Sequence, residues 1–219
     1  MNRDASAPSD PYCYAGSVVL INKLGITDYA TLQSAQFHLA RKSSLAMPPV
    51  APTEQGIRDA HLYLYGQLYS WAGQNRLTEL QTGGIEHAKP IAISTDLARE
   101  FAALRAANNL KGLQPKEFAD QAAERIGGLS VIAPFREGNG VVLRHFAKHL
   151  AGQAGHEFQI RSIDPQAWAI SKQQSAVGNF KPLSETIRAG LIASPSIGIA
   201  IDNTVAKAKP RNRDSGPER

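Results

Sequence analysis

The sequence predicts a mostly α-helical fold with a small β-hairpin. Apolar residues recur at three- and four-residue steps through most of the chain, and a Thr82-Gly83-Gly84 turn signal interrupts them once. No repeat of solenoid length is visible. The chain has 219 residues, 42% of them hydrophobic and 20% charged, enough for one buried core and unlike a disordered or fibrous chain.

The first helix is expected after Thr27 as N-cap, with Leu32, Ala35, Leu39 and Ala40 on its apolar side, until Pro48, Pro49 and Pro52 interrupt it. A second helix places Ile57, Ala60, Leu64, Leu68 and Trp71 on one stripe and ends at Gly73. Residues 76 to 93 form the hairpin, and Ile91-Ala92-Ile93 is short and β-compatible. Helical spacing returns in Leu97, Phe101 and Leu104. It continues in Phe118, Ala122, Ile126 and Leu129 after Gln114-Pro115, and over about 141–154, 164–177 and 182–193.

Net charge is +5 and the isoelectric point about 9.4. From Asn203 onward five basic residues face Asp214 and Glu218, a net of +3 that leaves +2 for everything before. That near-balance argues against direct nucleic-acid binding. Residues 1–11 read as a disordered N-terminus and 195–219 as a basic, disordered tail. The lone Cys13, the missing signal-type segment and the lack of an apolar run of membrane length point to a cytoplasmic protein with no membrane partner.

The chemistry concentrates in Ile132-Ala133-Pro134-Phe135-Arg136-Glu137-Gly138-Asn139-Gly140-Val141-Val142-Leu143-Arg144. Asn139-Gly140 alone would signal a tight hairpin turn. Leu143, Phe146, Ala147 and Leu150 instead share one helical face, so the loop runs into a helix N-terminus. Such an end presents unpaired N–H groups and a positive dipole to an anion. Glu137 offers a carboxylate to Mg2+, and Arg144, one turn beyond Gly140, offers a guanidinium to a terminal phosphate. A magnesium–nucleotide site and a purely structural glycine cap are the two readings this leaves open.

The segment resembles the signature of Fic-domain proteins, His-x-Phe-x-Asp/Glu-Gly-Asn-Gly-Arg-x-x-Arg. Phe135, Glu137, Gly138, Asn139, Gly140 and Arg144 match six of its eight specified positions. Val19 to Thr27 and Tyr69-Ser70-Trp71-Ala72-Gly73 extend the likeness, which covers roughly residues 12–194. The resemblance implies a helical bundle with a hairpin flap, and transfer of AMP from ATP to a protein hydroxyl. It implies Glu137 as the Mg2+ ligand, Gly138, Asn139 and Gly140 as the phosphate nest, Arg144 as the distal-phosphate arginine and Phe135 as a core anchor. The hairpin would pair with the target's backbone.

Two positions depart from the pattern: Ala133 stands where it has the catalytic histidine, and Val141 where it has the first arginine. An alanine accepts no proton, and a general base contributes about 10²- to 10⁴-fold, so the chain is expected to be an impaired adenylyltransferase of toxin-like kind. Its inhibitor is expected to be a small antitoxin-like protein with a Ser/Thr-x-x-x-Glu-Gly/Asn helix. In this chain only Thr82 stands four residues before a glutamate, Glu86, and both lie in the expected hairpin. For a toxin-like member the resemblance suggests ATPase subunits of type II topoisomerases as targets.

The rival reading is a pseudoenzyme that binds nucleotide or protein. A metal-dependent hydrolase using His145 and His149, spaced i, i+4 with His156 beyond, is a third. Phe146 stands where metalloprotease chemistry needs glutamate, which favours a partly exposed polar face for the pair. His61 is expected on a helix face, His87 in the hairpin, and Trp71 and Trp168 in the core.

Overall fold

A computed structural model describes residues 10–192. The expected termini, 1–11 and 195–219, lie outside those residues except for Asp10 and Pro11. Asp10 is tied to the body, its Oδ2 accepting from Arg136 Nη2 at 2.6 Å and Nε at 3.0 Å.

Seven helices and two small sheets make up the described residues. Helix α1 (Tyr29–Leu45) begins one residue later than expected, because Asp28 rather than Thr27 caps it, accepting from Thr31 N–H at 2.8 Å. Helix α2 (Glu54–Tyr65) is capped by Thr53 and stops at Gly66, short of the expected Gly73. Leu68 is buried in the irregular chain that follows, and Trp71 is half-buried there, stacked on Tyr69 at 4.3 Å. The apolar spacing was a core signal in both places, but helical only to Tyr65.

The hairpin pairs β1 (Gln81–Thr82) with β2 (Ile85–Glu86). Gly83 and Gly84, at φ +57° and +81°, turn it with the two positive φ values of a mirror-image turn. Ile91-Ala92-Ile93 is not a strand: Pro90–Ala92 form a 3₁₀ turn leading into α3 (Ile93–Ala106). Ile93 is buried, and it serves the helix rather than a sheet.

Helix α4 (Pro115–Ile132) opens on Pro115, whose missing N–H would have had no helical partner there. Phe118, Ala119, Ala122, Ala123 and Ile126 are fully buried along it, with α3, α5, α6 and α7 packed around. The remaining elements are α5 (Asn139–Ala154), β3 (Glu157–Phe158), α6 (Pro165–Ser175), α7 (Lys181–Gly190) and β4 (Leu191–Ile192). Strands β3 and β4 pair antiparallel, a small sheet the sequence pattern did not announce. Among the described residues no helix is long and apolar enough to cross a membrane.

Candidate active site: the loop between α4 and α5

Helix α4 ends at Ala133, a buried residue in the left-handed region with φ +43°. Its last carbonyls are capped by Arg76, almost fully buried. Arg76 donates to Ala133 O at 2.9 Å, Ile132 O at 3.2 Å, Thr78 O at 2.6 Å and Ala88 O. Its own N–H donates to Pro134 O at 2.7 Å. One guanidinium thus ties the chain flanking the hairpin to the start of the loop, at the negative end of the α4 dipole. Burial lowers its pKa from the usual arginine value.

The loop is held from both sides. Phe135 is buried and stacks on His61, ring centroids 4.0 Å apart. The Asn139 side chain accepts from Phe135 N–H at 3.0 Å and donates to Phe135 O at 2.7 Å, which closes the loop. His61 Nδ1 accepts from Gly73 N–H at 2.8 Å, which leaves Nε2–H to donate to Glu137 O at 2.9 Å. Gly138 sits at φ +82°, and a Cβ there would lie 2.3 Å from the Tyr65 ring, so only glycine fits.

Beyond Gly138, α5 begins with free donors. Val141 and Val142 N–H bond to Gly138 O at 3.1 and 3.2 Å, and Gly138 N–H to Glu137 Oε1 at 2.9 Å. The N–H groups of Asn139 and Gly140 have no protein acceptor among the described residues. They border a cleft of about 540 Å³ between this loop, the hairpin and α6, lined by Ala133, Glu137 and Gly140 among others. Arg144 Nε is buried without a hydrogen-bond partner, and the group makes no ion pair among the described residues. Burial lowers its pKa. Lys172 of α6 also lines the cleft, and burial first, then Arg144, pushes its pKa down to about 8.

The Fic/DOC family profile matches residues 51–151. A probable protein adenylyltransferase of Sinorhizobium fredii, y4lH, is 31% identical over 185 residues, covering 84% of this chain and 96% of that protein. The chain belongs to the Fic/DOC family. The protein adenylyltransferase VbhT of Bartonella schoenbuchensis is 30% identical over 193 residues, 86% of this chain but only 40% of that protein's length. Among solved structures, the BepC protein of Bartonella tribocorum with bound AMPPNP superposes with a TM-score of 0.78 at 26% identity, covering 84% of this chain and 97% of that one.

The Fic loop brings Ala133, Glu137, Gly138, Asn139 and Gly140 to one cleft, with Arg144 one turn along α5. Asn139 reaches it through its backbone, since its side chain is committed to Phe135. No cluster of three or more His, Cys, Asp or Glu side chains able to hold a metal occurs among the described residues. Glu137 is the carboxylate that the loop brings to the cleft, the kind of oxygen donor that would suit an ion shared with phosphates.

One histidine expectation changes and another is met. His145 is buried rather than partly exposed, its Nε2 2.9 Å from Ser44 Oγ, and burial lowers its pKa to about 4. His61 is on a face of α2 as expected, and that face is buried under the loop, which likewise pushes its pKa down to about 4. Trp168 is in the core, its Nε1–H donating to Gly140 O at 3.2 Å. His61, Tyr65, Arg76 and Lys172 were not singled out from the sequence as site residues. Their partners lie far along the chain, and the Phe135–His61 ring pair alone spans more than seventy positions.

Proposed function

We propose that the chain is a cytoplasmic, toxin-like protein adenylyltransferase whose cleft binds ATP with Mg2+ and whose Ala133 leaves it without a base. The observation that supports this most is the convergence of the free Asn139 and Gly140 N–H groups and the Glu137 carboxylate at one cleft, with Arg144, unpaired among the described residues, one turn further along α5. The similar BepC structure contains a bound ATP analogue, and the relatives above are named adenylyltransferases.

In this reading the first-turn N–H groups of α5 hold the α- and β-phosphates, and Arg144 takes the distal phosphate. Glu137 would hold the Mg2+, which when bound neutralises phosphate charge. The target's hydroxyl oxygen attacks the α-phosphorus, a new O–P bond forms, the α–β bridging bond breaks and pyrophosphate leaves. The hydroxyl proton needs an acceptor, and position 133, at the cleft wall, offers only a methyl group.

Regulation by a separate small antitoxin-like protein fits the hairpin placement of Thr82 and Glu86, which lie on β1 and β2 rather than on an inhibitory helix. It also fits the absence of a glutamate paired with Arg144 among the described residues. Type II topoisomerase ATPase subunits are the target class proposed. Calorimetry with ATP and Mg2+ tests the site: binding by the parent and its loss in a Glu137→Ala, Arg144→Ala double variant is expected. Equal affinity in both would contradict it. A natural pseudoenzyme with this fold would bind nucleotide equally well and would remain inert when a base is restored.

A further inference from the structure

The first turn of α5 carries no cation of its own: Val141 packs against the core, and Arg144 is the first basic residue of the helix. The neighbouring helix brings one in. Trp168 and Lys172 are four residues apart on one face of α6, and the Trp168 Nε1–H···O bond to Gly140 fixes that face over the start of α5. Lys172 Nζ stands 3.3 Å from where a Cβ on Gly140 would be. It therefore lies over the stretch of backbone whose N–H groups are free.

Among the described residues the ammonium has no counter-ion. Glu79 and Glu137 line the same cleft, and neither comes within ion-pair distance of Lys172. Its charged neighbours repel it: Arg144 from α5 disfavours its protonated form, and Lys172 in turn disfavours protonation of His87 at the hairpin. A half-buried lysine beside an arginine, with no carboxylate between them, is an unfavourable arrangement until an anion enters. A stem that merely covers apolar surface would have kept its ammonium out in water.

We propose that Lys172 is a phosphate ligand of the cleft, contributing from α6 the positive charge that position 141 does not supply. The inference rests on the nucleotide reading above. The ligand chemistry is a polyphosphate lying along the first turn of α5, bracketed by Lys172 on one side and Arg144 on the other. Lysine suits this position because a compact ammonium on a flexible stem can follow a phosphate whose position is set by backbone donors. Gly140 leaves open the space through which the two meet.

Calorimetric titration of ATP, ADP and AMP with Mg2+ into the full chain and its Lys172→Met and Lys172→Arg variants tests this, with thermal melting to confirm folding. Methionine keeps the stem and removes the charge. A charge-assisted contact predicts a roughly ten- to hundredfold weaker ATP affinity in Lys172→Met, substantial recovery in Lys172→Arg, and a shallower dependence on salt. The loss should shrink for AMP if the contact is to the β- or γ-phosphate. ATP binding by the parent with unchanged affinity in Lys172→Met would overturn this inference alone. Failure of the parent to bind ATP at all would overturn the nucleotide reading and this inference with it.

Discussion

His61 Nε2–H donates to the backbone carbonyl of Glu137 at 2.9 Å, so a helix-α2 imidazole sets the orientation of the peptide carrying the cleft's acidic side chain. The same ring supports Phe135 from beneath. It is neutral because burial holds its pKa near 4, well below the ordinary 6.5. The loop's geometry therefore depends on a residue that contributes no chemistry to the cleft itself.

That dependence has a pH signature. A histidine whose folded pKa is depressed contributes stability that is complete above about 6.5 and is lost as pH falls through about 4. Urea unfolding should show stability falling between pH 6.5 and 4, by up to roughly 3 kcal/mol from His61 at one pK unit per 1.36 kcal/mol. His145, lowered to about 4 as well, adds to the same slope. A His61→Gln variant should have a visibly flatter profile. An unchanged slope would mean that the ring is not buried as described.

Gly138→Ala should cost nucleotide binding more than stability. The new Cβ meets the Tyr65 ring, and φ +82° strains any L-residue by about 1 kcal/mol or more. The loop must shift, and the α5 N–H groups shift with it. Pairing the change with Tyr65→Ala should relieve the overlap but not the backbone strain, so binding should recover only in part. Full recovery would locate the whole effect in the ring contact.

Arg76→Met should unfold more easily by about 2–4 kcal/mol, because it strips donors from buried carbonyls at Ile132 and Ala133 as well as Thr78 and Ala88. Hydrogen exchange should show the hairpin opening separately from α4. Arg76→Lys should recover little, since one ammonium cannot reach four carbonyls in a plane.

Lys172→Met should raise stability near neutral pH. With the folded pKa down at about 8 against 10.5, the parent bears the cost of the buried charge below pH 8 and sheds it as pH rises toward 10.5. The variant's advantage, on the order of 1–3 kcal/mol at pH 7, should therefore narrow over that window. Burial is the larger cause of the shift, and the Arg144 guanidinium the second. A variant less stable than the parent at pH 7 would assign Lys172 a structural role.

Much of this was legible in local pattern. Pro115 opened α4, Thr82-Gly83-Gly84 turned the hairpin, and the glycine-rich loop ran into α5. What was not legible depends on distance in sequence. Leu68 and Trp71 continue a helical spacing that the chain abandons at Gly66, because burial needs apolar residues but not helix. Ile91-Ala92-Ile93 has strand-like composition but lies between Pro90 and a helix that takes Ile93 into its buried face. Paired strands as short as β3 and β4 show no alternation to detect. At the site, the Fic signature pointed to the loop whose Ala133, Glu137, Gly138, Asn139 and Gly140 border the cleft but not to Arg136 beside them, and the supports His61, Arg76 and Lys172 are single polar residues on other elements. Their roles arise only from packing.

The most direct test of the account is AMP transfer from labelled ATP in a bacterial lysate, comparing this chain with Ala133→His. Position 133 is at the cleft wall in a left-handed conformation that histidine tolerates better than most residues, so an imidazole there should fold in and face the α-phosphate. The account predicts at least a hundredfold more labelled protein with Ala133→His than with the parent, and loss of that gain when Glu137→Ala is added. An Ala133→His protein that folds and binds ATP like the parent, yet labels nothing, would contradict the adenylyltransferase reading and favour the pseudoenzyme.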